Sequence, residues 1–258
     1  MGILNVTPNS FSDGGRYFNL SRALAHAHQM MRDGADIIDI GGESTRPGAE
    51  PVSTEEELAR VVPLVEALAD SDVAVSVDTR KPEVMRAVIA AGAVMINDVN
   101  GLRGSGAIEA VARSGAGVCI MHMQGDPRTM QAAPTYTDVV GEVRDFLVQR
   151  AEACVAAGIA RDRVVLDPGY GFGKRLQHNL ALLRALPVFT ATGYPVLVGV
   201  SRKASLGEIT GRPVDQRLAA SLAAGLAAIA RGARILRVHD VRETVDALKV
   251  WWAVEHAA

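Results

Sequence analysis

The sequence predicts an α/β fold of the (β/α)8 TIM-barrel type, with eight parallel strands closed into a barrel and helices packed outside. Three features of the chain point there. Eight short apolar runs rich in Val and Ile alternate with helical stretches, and continuous apolar runs are what strands buried on both faces require. The length, 258 residues, is about what such a barrel needs. Apolar runs repeatedly end in a polar residue and a turn, most plainly in VVLDPGYGFGK, Val164 to Lys174, where Asp167 closes the run and Pro168 and Gly169 stop it. A carboxylate at the end of a buried strand is costly to desolvate without a partner, so this stretch reads as a binding position. A doubly wound open sheet would show the same alternation; the strand count and the length favour the barrel.

Taken in order, the first strand is expected over Ile3 to Val6, followed by the loop TPNSFSDGGRYFN and a helix from Leu20 to about Asp33 that stops at Gly34. IIDI, Ile37 to Ile40, is the second strand. After the loop GGESTRPGAEPVS, Ser53 and Glu56 have the spacing of a capping box for the next helix. Ala74 to Val77 is a third strand ending at Asp78, and Pro82 suits the first turn of the helix that follows. Met95 to Val99 is the fourth strand, with a short helix running through Ala112, and Gly117 to Met123 is the fifth. A long helix is expected from about Asp138 to Ala157, the sixth strand over Val164 to Asp167, and a helix over Asn179 to Leu186. Pro195 to Val200 and Ile235 to Val238 complete the strands, and Asp240 with Glu243 is placed to cap the closing helix.

No linker, low-complexity segment or composition shift divides the chain, so residues 1–258 are expected to form a single domain. A net charge of −2 without basic blocks argues against nucleic acid as a partner. The N-terminus lacks the basic and long apolar regions of a signal peptide. The longest apolar run, Leu218 to Ala230, is broken by Ser221 and Gly225; it is too short to span a bilayer and reads as a buried alanine-rich helix. A cytoplasmic protein that does not engage membranes is expected. Cys119 and Cys154 then read as reduced and buried, and no Cys/His cluster has metal-site spacing.

In a barrel of this kind the active site lies at the C-terminal ends of the strands. The residues there are Asn5, Asp39, Asp78, Asn97 and Asp98, His122, Asp167, Ser201 to Lys203, and Arg237 to His239. Strand-end aspartates also cap helices, a reading equally open for Asp39, Asp98 and Asp240, and His122 between two methionines reads as a satisfied core histidine. Together, however, these residues can bring carboxylates, amides and cations to one cavity. Asp78, Asn97 and Asp167 complement an amino-pyrimidine edge with adjacent N–H donors. Arg237, His239 and Asn5 suit an anionic group such as phosphate, and Lys203 adds another cation. GYGFGKR, Gly169 to Arg175, is neither a Walker-type phosphate loop, because its spacing is one residue short and no Ser or Thr follows the lysine, nor a G-x-G-x-x-G dinucleotide loop.

ILNVTPNSFSDGG, GGESTRPGA, VDTRKPEV, INDVNG, MHMQGDPRTMQ, LDPGYGFGK, VGVSRK and RVHDV resemble, in order, the motifs of bacterial dihydropteroate synthases, over nearly the whole chain. The resemblance implies a (β/α)8 barrel that condenses 6-hydroxymethyl-7,8-dihydropterin pyrophosphate with p-aminobenzoate, giving 7,8-dihydropteroate and pyrophosphate for folate biosynthesis. It implies a sulfonamide target, Mg2+ as cofactor and a homodimer. By motif, Asp78, Asn97, Asp167 and Lys203 would hold the pterin. Asn5 would help place the magnesium, and Thr45, Arg237 and His239 would face the phosphates. Arg46, Pro47, Phe172 and Ser201 would shape the p-aminobenzoate site, and Asp78, Asp167, Lys203 and Arg46 would carry the catalytic work.

The chain departs from the family pattern at Asn9, where Asp is usual, at Tyr170, where Phe is common, and at Ala204, where Ser is frequent. The strand or hairpin that usually precedes MGILNV is also missing. Two other readings are a methyltetrahydrofolate-type pterin methyltransferase and a catalytically silent pterin-binding homologue. The first has no use for STRPG, the SRK lysine or RVH. The second is opposed by intact Asn5, Arg46, Lys203, Arg237 and His239.

Overall fold

Among the residues described by the computed structural model, 1–6, 16–44, 48 and 50–257 (backbone alone for 16–19), eight parallel strands close into a barrel. Six of them, β1 (Gly2–Asn5), β2 (Ile37–Gly41), β3 (Ala74–Asp78), β4 (Met95–Asp98), β5 (Gly117–Met121) and β6 (Val164–Asp167), pair in chain order as one sheet. The remaining pair, β7 (Leu197–Val198) and β8 (Ile235–Leu236), is joined to the others by single bridges, Leu166 to Val196 and Gly2 to Val238. The Leu166 N–H donates to the Pro195 carbonyl at 2.9 Å and the Ile3 N–H to Val238 at 3.0 Å, so the circle is continuous in hydrogen bonds.

The helices are α1 (Arg16–Arg32), α2 (Thr54–Leu68), α3 (Pro82–Ala90), α4 (Ala107–Ala112), α5 (Val139–Ala156), α6 (Leu176–Arg184), α7 (Leu186–Thr190), α8 (Ala204–Thr210), α9 (Leu218–Ile229) and α10 (Val241–Glu255). Ile38, Val77, Ile96, Ile120 and Leu166 share a core with helical side chains such as Leu64, Val88 and Leu147. Successive strand residues face opposite ways, so Met95, Cys119, Val165 and Leu197 form a separate cluster inside the barrel. Two residues further along β4 and β6, the same inward rows carry Asn97 and Asp167. The barrel interior therefore turns from apolar to polar toward the C-terminal strand ends, and that change of side chain makes the site.

Several boundaries differ from expectation. The seventh and eighth strands shrink to two residues each, although their flanks still bridge to β6 and β1. Pro195 has no N–H and can only accept at the start of β7. The helix expected over Asn179 to Leu186 is two helices, α6 and α7, with Pro187 in the first turn of the second; Pro187 has no N–H to extend the ladder of α6, and its fixed φ suits the start of a new helix. Half of the Ser53 capping box forms: the Glu56 N–H donates to the Ser53 hydroxyl at 3.1 Å, while the Glu56 carboxylate pairs with Arg60 instead of the cap. Asp240 gives α10 no side-chain cap, because its carboxylate is held by the Arg202 guanidinium. Asp98 is likewise no helix cap; it accepts from the Asn100 and Leu102 N–H groups at 2.7 and 2.8 Å and shapes the turn after β4.

The run from Leu218 to Ala230 is helical but not buried: Ser221, Gly225 and Ala228 are covered and Leu218 is exposed. Nor does Trp252 pack on the barrel, being 60% exposed and stacked on His256. Both cysteines are free and buried, and no helix among the described residues is long and apolar enough to cross a membrane. Tyr170 is buried with a hydroxyl that finds no partner among the described residues. A buried hydroxyl without a hydrogen bond costs about 1–3 kcal/mol, so Tyr170→Phe is expected to raise stability by about 1 kcal/mol, read as a higher denaturant midpoint at unchanged slope.

Candidate active site

A pocket of about 330 Å3, open to solvent, lies at the C-terminal mouth of the barrel, and Asp78, Asn97, Asp167, Phe172, Lys203 and Arg237 all line it. Val99, Met121, Tyr170 and Gly199 complete its walls. Six of the residues expected at the site thus meet in one cavity, although they come from five different strand ends and span residues 78 to 237. Ser201 and His239 do not line it. The Ser201 hydroxyl lies 3.1 Å from His239 Nδ1 and accepts from the His239 N–H at 3.2 Å, so the two form a pair beside the pocket. The hydroxyl, with one donor and two acceptor sites, thus bridges the backbone N–H and the ring Nδ1 of His239 and fixes the ring's orientation. Burial, first, and then the Arg202 and Arg237 charges lower the His239 pKa to about 4, so the ring is neutral near pH 7.

The polar floor is built around a residue whose role the sequence left open. Asp39, in the middle of β2 and 0% exposed, accepts from the Ser76 hydroxyl at 2.6 Å, the Asn97 amide at 3.1 Å and Arg237 Nε at 2.6 Å. It is not a helix cap. Strand alternation carried the signal: Ile38 and Ile40 face the helices, so Asp39 between them faces inward. Since Asn97 spends an N–H on Asp39, its carbonyl oxygen is turned away as an acceptor for a ligand.

Arg237 also reaches Asp78, Nη2 to Oδ2, at 3.0 Å. The guanidinium expected on phosphate therefore sits in this structure between Asp78 of the pocket wall and Asp39 buried beneath it. Burial pushes the Asp78 carboxyl up to about 7 against the pull of Arg237, with Asp39 adding to the rise. Asp167 is raised too, chiefly by burial, while the Gly169 N–H donating at 2.7 Å and the nearby Lys203 lower it. Lys203 is half-buried, its Nζ 4.2 Å from the centre of the Phe172 ring, and burial lowers its pKa to about 8.

Lys203 is delivered by a strained turn. Arg202, immediately before it, has φ +57 and is fixed by its pair with Asp240 and by its N–H on the Ser221 hydroxyl at 2.9 Å. A non-glycine residue in that region costs about 1 kcal/mol or more and persists only where its surroundings impose it. Asn5 stands half-buried at the end of β1, opposite Gly41. Thr45, Arg46 and Pro47 lie outside the described residues, as does Asn9. Ala204 is exposed at the start of α8.

Among the described residues no group of three or more His, Cys, Asp or Glu side chains could hold a metal ion. Magnesium, however, binds readily through substrate phosphates and waters with one or two protein oxygens. The hard amide oxygen of Asn5 fits an ion that arrives on a diphosphate; the donors do not fit an all-protein cage.

A parallel barrel with paired acceptors, an amide and two cations at its mouth defines a pterin-binding enzyme, and a family model described as pterin binding enzyme matches residues 1–239. The dihydropteroate synthase of Neisseria meningitidis serogroup B is 56% identical over 98% of this chain and 92% of its own length. The Xanthomonas albilineans dihydropteroate synthase solved with 4-aminobenzoic acid superimposes with a TM-score of 0.94 at 54% identity, covering 100% of this chain and 93% of that one. The Burkholderia cenocepacia dihydropteroate synthase complexed with 7,8-dihydropteroate gives 0.91 at 54% identity, covering 100% and 91%. The chain belongs to the dihydropteroate synthase family.

Proposed function

We propose that this chain condenses 6-hydroxymethyl-7,8-dihydropterin pyrophosphate with p-aminobenzoate in the mouth of the barrel, the residues above holding the reactants. The observation that carries this assignment is the shared pocket of Asp78, Asn97, Asp167 and Lys203. Asp78, Asp167 and the freed carbonyl of Asn97 accept from the N–H edge of the pterin, and Lys203 donates to a ring acceptor. Phe172 borders the p-aminobenzoate. Arg237 and His239 face the diphosphate together with Thr45 in this assignment, and Arg46 and Pro47 belong to the p-aminobenzoate site. Ser201 acts through His239.

In the reaction the bond from the pterin methylene to the diphosphate oxygen breaks and its electron pair leaves with diphosphate. The arylamine lone pair then forms the new C–N bond, and the amine proton goes to solvent. Ionised Asp78 and Asp167 stabilise positive charge developing on the ring, and Arg237 the departing anion. Magnesium, held by Asn5 and the diphosphate, would supply charge neutralisation for that leaving group. No nucleophilic side chain is needed. A homodimer and a cytoplasmic location belong to the same assignment, supported by the exposed Val250 and Val254, one turn apart on α10, and by the two free, buried cysteines.

The acid–base groups set a testable profile. Asp78 must be ionised to accept and Lys203 protonated to donate, so kcat/KM for the pterin substrate is expected to rise through about pH 7 and fall above about pH 8. Stability runs the other way on the acid side. The folded-state pKa of Asp78 lies above its unfolded value, so this group favours the folded state most at low pH and that contribution is lost as pH rises through about 7. Asp78→Asn should remove the acid limb, as seen in rates measured from pH 5.5 to 9.5 (roughly the span both groups titrate over). An acid limb unchanged in that variant would assign it to another group.

A further inference from the structure

We propose that Lys174 is a positioning residue for the wall of the p-aminobenzoate pocket: its ammonium ties the end of β5 to the loop after β6 and so sets where the Phe172 ring stands against Lys203. The proposal rests on the assignment of Phe172 to that pocket and adds a residue to it. Lys174 is 3% exposed. Its Nζ meets His122 Nδ1 at 2.9 Å, the His122 carbonyl at 3.2 Å and the Phe172 carbonyl at 3.0 Å, which uses all three protons of an ammonium. None of the three acceptors is a carboxylate. A buried cation without an ion-pair partner at hydrogen-bond distance is expensive, and burial accordingly lowers its pKa to about 7. Such a group contributes geometry more than stability.

Its partners are themselves fixed. The His122 ring packs edge-on against Phe146 at 5.0 Å, and burial together with Lys174 and Arg103 lowers its pKa to about 3, so the ring is neutral and its Nδ1, facing an ammonium that only donates, is the acceptor. The loop it binds lies flush on the end of β5. A Cβ on Gly169 (φ +72) would stand 1.9 Å from the His122 carbonyl oxygen, and one on Gly173 (φ +62) 2.5 Å from that of Gln124. Phe172 sits between these glycines, its carbonyl on Lys174 and its ring 4.2 Å from Lys203 Nζ. Gly171 and Gly173 are tied elsewhere, through the Gly171 N–H on Asn179 and the Tyr136 hydroxyl on the Gly173 carbonyl, each at 2.8 Å, whereas the His122 and Phe172 carbonyls share the ammonium; without it the Phe172 backbone between those ties is released to shift.

The test is steady-state kinetics of the full chain carrying Lys174→Met, with each substrate varied in turn. The KM for p-aminobenzoate is expected to rise about tenfold, with the KM for the dihydropterin pyrophosphate within about twofold of wild type. In a Phe172→Ala background the same substitution should add less than about twofold to the p-aminobenzoate KM, because the two residues act as one unit. Equal rises in both KM values, an unchanged p-aminobenzoate KM, or effects that multiply in full with Phe172→Ala would overturn the clamp. If Lys174→Met yields no folded protein, Lys174→Gln, which keeps two N–H donors in the cleft, is expected to give a smaller shift of the same KM, and no shift would overturn the proposal. Wild-type turnover is measured first. Its absence would contradict the proposed function; normal wild-type turnover with unaltered variants would contradict the clamp alone.

Discussion

Arg237→Met is expected to destabilise the protein by about 3–5 kcal/mol near neutral pH and to abolish most of its activity. Its guanidinium lies between Asp39 and Asp78, bonded to both, and it is the cation that offsets their mutual repulsion. Methionine keeps much of the volume and none of the charge. Asp39, fully buried, would be left with only the Ser76 hydroxyl and the Asn97 amide. Asp78, its carboxyl already raised by burial to about 7, escapes by taking up a proton, so the loss should shrink as pH falls from 8 toward 5 (roughly, the range over which a raised carboxyl titrates). Urea unfolding at several pH values reads this directly. A loss independent of pH would mean that Asp78 does not depend on Arg237 for its charge.

Lys203→Ala is expected to lower kcat/KM by about a thousandfold, the scale of removing a preorganised donor from a reaction site, while leaving stability at or above that of wild type. Activity and stability separate here because of what surrounds the ammonium. Burial lowers its pKa to about 8, so the folded protein gains little from holding it. Asp167 keeps the Gly169 N–H after the lysine is gone. The strained Arg202 turn that presents the lysine is held by Asp240 and Ser221, not by Lys203 itself. Unfolding midpoints and turnover measured on one preparation distinguish this from a folding defect, which would lower both.

Much of this was legible in the sequence because barrel strands write their two faces as an alternation and their ends as a change of polarity. VVLD and MIND each show an inward row passing from an apolar residue to a ligand-binding one. Asp39 was harder to place: IIDI shows that it faces inward, but nothing local distinguishes a helix cap from the hub that joins Ser76, Asn97 and Arg237 across 198 residues of sequence. The pairing of Ser201 with His239, and of Asp240 with Arg202 in place of its own helix, is tertiary in the same sense. Lys174 reads in sequence as a loop cation; only the approach of His122 and Phe172 shows it to be buried. The short β7 and β8 follow from Pro195 and from pairing confined to a few residues, which propensity does not report.

The most direct test of the function is pyrophosphate release by the purified protein given the dihydropterin pyrophosphate and Mg2+, with and without p-aminobenzoate. Release that depends on p-aminobenzoate, matched by formation of dihydropteroate and lost in Lys203→Ala, is the expected result. Binding of the pterin substrate with no p-aminobenzoate-dependent release would contradict it.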